Sequence, residues 1–246
     1  MIDYDLLLSE AKKIGVDLGE YGADRFDTYA ERLVRWNEHV NLTAIVEPDD
    51  IVIKHFIDSL YAMKFVDFKA GQSIADVGTG AGFPLSLIHI SEMCIRDRLI
   101  ANPELSVNFI DSSGKRINFI KDVLSNIGII ATSTHERAED VGKNPEFREQ
   151  YDFATARAVA PLNVLCEYCL PLVKVGGRFV SLKGSNGLEE LEASKNAIMV
   201  LGGEIETAES YVLPNGDGRT IFVIKKISQT PTKYPRKPKK IDTRPL

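Results

Sequence analysis

The residues of this chain best suited to chemistry are three glycines at alternate positions, Gly78, Gly80 and Gly82, entered from Asp76 and left through Phe83 and Pro84. The apolar run ahead of them, residues 73–77 (SIADV), reads as a buried strand. Glycines so spaced let the backbone turn tightly and let a ligand lie against bare main chain. The plainer alternative is a glycine-rich turn that holds nothing. The spacing excludes a dinucleotide fingerprint, because G-x-G-x-x-G counted from Gly78 would need its third glycine at Phe83. A second acid follows where the apolar run 107–110 ends in Asp111. A carboxylate there can accept hydrogen bonds from both ribose hydroxyls of an adenosine ligand, or it can cap a helix starting near Ser113. Asp76 has the same two readings, a cap for the glycine turn or a part of the site.

Arg157 is a cation in an Ala/Val context at the end of another strand candidate, where α/β sheets bind ligands. No His/Asp or Cys/His constellation stands out. Cys166 and Cys169 form a lone C-x-x-C inside an apolar helical pattern; without a second ligand pair they read as core, and no metal is expected. His39 and His55 read as structural, and Asn37, Asn41 and Asp58 as ties within their own region.

These groups need a frame. Phe26, Tyr29, Ala30, Leu33 and Val34 recur at helical spacing, Pro48 interrupts, and residues 51–65 resume a helix-like pattern. From about Ser73 short apolar strands alternate with helices. Strands are expected at 74–77, 107–110, 129–132, 153–156, 178–182, 206–213 and 220–224, and helices at 115–127, 161–173 and 187–201. Such alternation predicts an α/β doubly wound sheet. The last two strands, joined by Pro214-Asn215-Gly216-Asp217-Gly218, are too close for a crossover helix and should pair antiparallel. Residues 1–66 are expected to form a helical extension and 67–246 the α/β domain.

The 246 residues, 44% hydrophobic and 26% charged, suit a soluble globular protein, with three cysteines fitting a reducing cytoplasm. No apolar run approaches the ~20 residues of a membrane span, and the acidic start is unlike a signal peptide. A net charge of −5 argues against nucleic acid, but residues 232–240 hold Lys233, Arg236, Lys237, Lys239 and Lys240 and no acid. This tail is expected to be extended, its prolines opposing a helix. It reads equally as a phosphate-contacting arm or a solvated end.

An acid followed by G-x-G-x-G resembles the first motif of the S-adenosylmethionine methyltransferases. WNEHVNLTAI (36–45), KHFIDSL (54–60), DVGTGAGFP (76–84), ARAVAPL (156–162) and KYPRKPKK (233–240) follow in order. Together they resemble the RsmG family, also called GidB, the bacterial 16S ribosomal RNA guanine-N7 methyltransferases. The resemblance covers nearly the whole chain except residues 85–98. It implies a class I methyltransferase fold, Rossmann-like with its last strand antiparallel, behind an N-terminal helical extension. It also implies S-adenosylmethionine as methyl donor and an unpaired guanine of 16S RNA, free or in the small ribosomal subunit, as acceptor. By matching position, Gly78 and Phe83 line the donor site, Ala138 and Glu139 lie beside its adenine, and Arg157 joins them. Asp76, Gly80 and Asp111 are the further donor-site candidates.

Guanine N7 attacks through an in-plane lone pair and loses no proton, so a dedicated base is not expected, and positioning should carry catalysis. Lys115 and Arg116 read as a solvated helix face or as RNA contacts, and Lys183 as an RNA or acceptor contact, beside Lys233, Arg236 and Lys237 in the tail. The chain departs from the family pattern after Pro84, where LSLIHISEMCIRDR (85–98) looks like a translated sequencing adapter. The alternatives are a methyltransferase of small molecules or proteins, and a non-catalytic RNA-binding protein with a SAM-like fold.

Overall fold

The computed structural model describes residues 1–19, 21–69, 71–84, 105–157 and 160–246; the adapter-like stretch 85–98 lies outside them. Seven strands form one sheet: β1 Ser73–Val77, β2 Ser106–Asp111, β3 Thr132–His135, β4 Tyr151–Arg157, β5 Val173–Gly184, β6 Gly203–Val212 and β7 Gly218–Lys226. Their order is β3-β2-β1-β4-β5-β7-β6. β1 pairs in parallel with both β2 and β4, so the strand order reverses beside it. β7 pairs antiparallel with β5 and with β6, as the short link between the last two strands requires.

Helices cover both faces. They are α1 Tyr4–Lys13, α2 Gly22–Asn37, a continuous helical run over 48–64 (α3), α4 Gly114–Asn126, α5 Ala138–Val141, α6 Leu162–Cys169, α7 Gly187–Val200 and α8 Pro238–Thr243. Within α3, a π-helical stretch Ile51–Ile57 separates an α turn from a second α turn and a final 3-10 turn. Side chains alternate across a strand. Ile74, Val107, Phe109 and Phe153 therefore bury one sheet face under α4 and the N-terminal helices, whose Phe26, Tyr29 and Leu33 point inward. Ala75, Val77, Ile110, Ala154 and Phe179 bury the other face under α6 and α7. Cys166 and Cys169 belong to that second core, where burial pushes both thiols up. Among the described residues no helix is long and apolar enough to cross a membrane, and no cluster of His, Cys, Asp and Glu is built to hold a metal.

Three expectations need correction. The third strand begins at Thr132, not at 129. Ile129 instead packs in the core and its N–H closes onto Leu124 O at 2.9 Å, ending α4. The helix expected over 161–173 stops at Cys169, and a 3-10 turn through Pro171 delivers the chain into a fifth strand that starts at Val173. The closing tail is not a free extended arm. Pro238 opens α8 from the first turn, where its missing N–H is unneeded, and Tyr234 and Ile241 are buried. Arg148 clamps the tail by donating to Tyr234 O at 2.8 Å and Thr230 O at 2.7 Å.

Candidate functional site

The glycine loop leaves β1 with Gly78, Gly80 and Gly82 all in the left-handed region, at φ 67°, 56° and 87°. Side-chain-bearing residues adopt that conformation at a cost of roughly 1–2 kcal/mol each, which is why glycine occupies every second position. Gly78 N donates to Ile110 O at 2.8 Å and Gly82 N to Thr79 O at 2.7 Å, so the loop is tied to the end of β2 and to itself. Asp111 completes this tie. Its Oδ2 accepts from Gly80 N at 3.0 Å and its Oδ1 from Ser113 N at 2.8 Å. Ser113, not Asp111, occupies the N-cap position of α4. The buried carboxylate is thus fixed in orientation with acceptor capacity to spare, beside a cleft of about 660 Å³ that it lines.

Asp76 lies fully buried, outside the cleft lining. Its Oδ1 accepts from Thr155 Oγ1 at 2.7 Å. Burial raises its carboxyl to about 7, partly offset by the hydroxyls of Thr79 and Thr155 and by Arg157. Because the folded value lies above the ordinary 3.8, the folded state holds this proton more tightly. Stability from this group is present below about pH 4 and lost as pH rises towards 7. Asp76→Asn is therefore expected to be more stable than the parent at pH 8, by about 4 kcal/mol at most. The gap should close at pH 4 in paired thermal melts.

At another part of the cleft, residues from three distant segments converge. Phe83 stacks on His55 from α3 with ring centroids 4.4 Å apart, and the Arg157 guanidinium sits 4.7 Å over the Phe83 ring. Arg157 Nη2 donates to His55 Nδ1 at 3.2 Å, and Nη1 donates to Asp58 Oδ2 and Lys54 O at 3.3 Å each. Since Arg157 can only donate, His55 carries its proton on Nε2, which lies 2.9 Å from Thr43 Oγ1. Burial, then the neighbouring Arg157 charge, lower His55 to about 3, so the ring is neutral and both nitrogens are engaged. Asp58 is shared among Arg157, Arg219 at 3.4 Å and the Tyr211 hydroxyl at 2.9 Å, which ties α3 to β4, β7 and β6. Sequence reading placed Arg157 and Phe83 in the site but treated His55 as structural. It is structural in its bonding yet also lines the cleft.

Ala138 and Glu139 open α5 on the β3 side of the cleft, with Glu139 buried and paired to Arg137 at 2.6 Å. Arg116, half exposed, lines the cleft 3.6 Å from Asp111, and Lys115 beside it is exposed. Lys233 and Lys237 are exposed on the tail. Lys183 and Arg236, expected to meet RNA, are instead committed inside the fold. Lys183 Nζ donates to Ala160 O at 2.7 Å and pairs with Glu190 at 3.0 Å. Arg236 grips both oxygens of the fully buried Glu167, at 2.6 Å for the shortest contact. A cation so paired would leave a bare carboxylate if it swung out.

A seven-stranded sheet in this order, with a left-handed glycine loop at the reversal point and an acid closing β2, is the fold of the class I S-adenosylmethionine-dependent methyltransferases. The fold has solved counterparts. A ribosomal protein L11 methylase from Lactobacillus delbrueckii subsp. bulgaricus superposes with a TM-score of 0.51 at 15% identity, over 71% of this chain and 79% of that one. A branched-chain polyamine synthase from Thermus thermophilus gives 0.55 at 11% identity, over 82% and 64%. The family model described as rRNA small subunit methyltransferase G (GidB) matches residues 23–215. Proteins named ribosomal RNA small subunit methyltransferase G are similar almost end to end. One from Thermoanaerobacter sp. (strain X514) is 44% identical over 244 residues, 98% of each chain, and one from Bacillus licheniformis is 47% identical over 229 residues, 92% of each. The chain belongs to the rRNA small subunit methyltransferase G family, and its methyl donor is S-adenosylmethionine.

Proposed function

We propose that the protein transfers the methyl group of S-adenosylmethionine to N7 of one guanine in 16S ribosomal RNA, free or in the small ribosomal subunit, in the cytoplasm. The observation that carries this reading is the cleft at the strand reversal in a chain that matches its family over 23–215. The residues present fit the donor. Asp111, immobilised by Gly80 and Ser113, would accept from the ribose hydroxyls. The glycine loop would lie along the donor's chain, and Ala138 and Glu139 would flank its adenine. When bound, S-adenosylmethionine supplies a methyl on a sulfonium, an activated leaving group.

The rest falls to the protein's own side chains. Among the described residues His55 is the one imidazole lining the cleft, and with both nitrogens engaged and its basicity suppressed it cannot serve as a general base. That suits an N7 acceptor, which releases no proton on attack. Phe83, His55 and Arg157 form a stacked, desolvated face beside the loop, suited to holding a planar base and excluding water. The test is transfer of labelled methyl to 16S RNA and to small subunits, followed by mapping of the modified base, with the chain as written and with residues 85–98 removed. Incorporation at a single guanine N7 is the expected result; none with either form, or methylation at another atom, rejects the reading.

RNA contact is assigned to Lys115 and Arg116 by the cleft and to Lys233 and Lys237 on the tail. Deleting the tail would open the core around Tyr234 and Ile241, so substitution is the cleaner probe. Lys233→Ala/Lys237→Ala is expected to weaken RNA binding and to flatten the log K against log salt slope by about 0.7 per lost phosphate contact. A slope unchanged within error would remove these lysines from the interface.

A further inference from the structure

One wall of the cleft comes from neither the glycine loop nor the strand ends. Asp242 of α8 and Pro245 just beyond it line the cleft together with Tyr168 of α6 and Glu139 of α5. α5 and α8 both pack against α6, which brings Glu139, Tyr168 and Asp242 to one corner of the cleft; burial and then the charges of Glu139 and Asp242 hold the Tyr168 hydroxyl up at about 12. This corner is the one bounded by Ala138 and Glu139.

The wall is firmly built. Ile241 of α8 is fully buried, Arg236 is locked to Glu167, and Arg236 Nη1 donates to Arg244 O at 2.9 Å across the helix. The two carboxylates in the corner differ in availability. Glu139 is buried and already paired with Arg137 at 2.6 Å. Asp242 is exposed and makes no ion pair among the described residues.

We propose that segment 236–246 forms the adenine-side wall of the donor cleft and that the Asp242 carboxylate accepts a hydrogen bond from the exocyclic amine of the donor's adenine. An ionised carboxylate only accepts hydrogen bonds, so it favours a 6-amino purine and opposes a 6-oxo purine, whose oxygen also accepts. The tail then serves recognition of the donor as well as any contact with RNA. This inference rests on the reading of the cleft as a donor site.

Calorimetry on the full chain tests it with two probes, S-adenosylhomocysteine and S-inosylhomocysteine, the latter carrying oxygen in place of the amine. The parent is expected to favour the adenosyl compound at least tenfold. Asp242→Ala, a change at an exposed position, should weaken the adenosyl compound about tenfold and shrink the preference below threefold. Asp242→Asn, which can donate to the 6-oxo group, should shrink it as well. A preference unchanged by Asp242→Ala overturns the proposal and leaves the donor reading standing, as does a parent that binds both probes equally. A parent that binds neither probe overturns both.

Discussion

Asp111→Ala is expected to bind S-adenosylmethionine roughly 100-fold more weakly than the parent, with Asp111→Asn losing roughly tenfold. A hydrogen bond to an ionised group contributes about 1.5–3 kcal/mol, and the assigned role involves two ribose hydroxyls. The alanine variant also frees Gly80 N, whose bond to Asp111 Oδ2 at 3.0 Å holds the middle of the loop. Asparagine keeps one acceptor oxygen and can retain part of that tie. A purely local role predicts something different. If Asp111 served only to orient Ser113 at the start of α4, its loss would lower the melting temperature and leave donor affinity where it was. Calorimetric affinities and melting curves on the same preparations separate the two, and a less than threefold change in the alanine variant's affinity would dismiss ribose binding.

The second large effect is on stability. Glu167→Ala should destabilise the protein by about 3–5 kcal/mol, because it leaves the half-buried Arg236 guanidinium without its bidentate partner. At this chain length that corresponds to a fall of roughly 10 °C in melting temperature. Glu167 sits in α6 and Arg236 in the tail, 69 positions apart, so the pair acts as a clasp across the molecule. Its loss should release α8 and with it the wall that carries Asp242. A melting curve within 2 °C of the parent would show that the tail is held by its apolar contacts alone.

Much of the frame was legible in the sequence because local patterns act locally. Alternating strands and helices, the short link before β7 and the strand ends at Val77 and Asp111 follow from periodicity and turn residues, and all appear in the structure. Where the structure departs from the local pattern, a nearby residue competed. Ile129 looked like strand and became the buried stop of α4, and Pro171 cut short a helix whose apolar pattern ran on. Pro238 opposes a helix in most contexts, yet at a first helical position it starts one.

The sequence by itself determined the features proposed to hold the donor, three glycines able to adopt positive φ and an acid at the end of β2, and a set of motifs sufficient to place the chain in its family. Those features reside in backbone conformation and in residues close along the chain. Only the tertiary structure decided which charges are free. Lys183 and Arg236 looked like surface cations until Glu190 and Glu167 were brought against them. His55 joined the cleft only when α3 was laid beside Phe83 and Arg157, and Asp242 reached it only because the tail is clasped onto α6. A charge's partner is set by packing between elements far apart in the chain, and no local pattern encodes it.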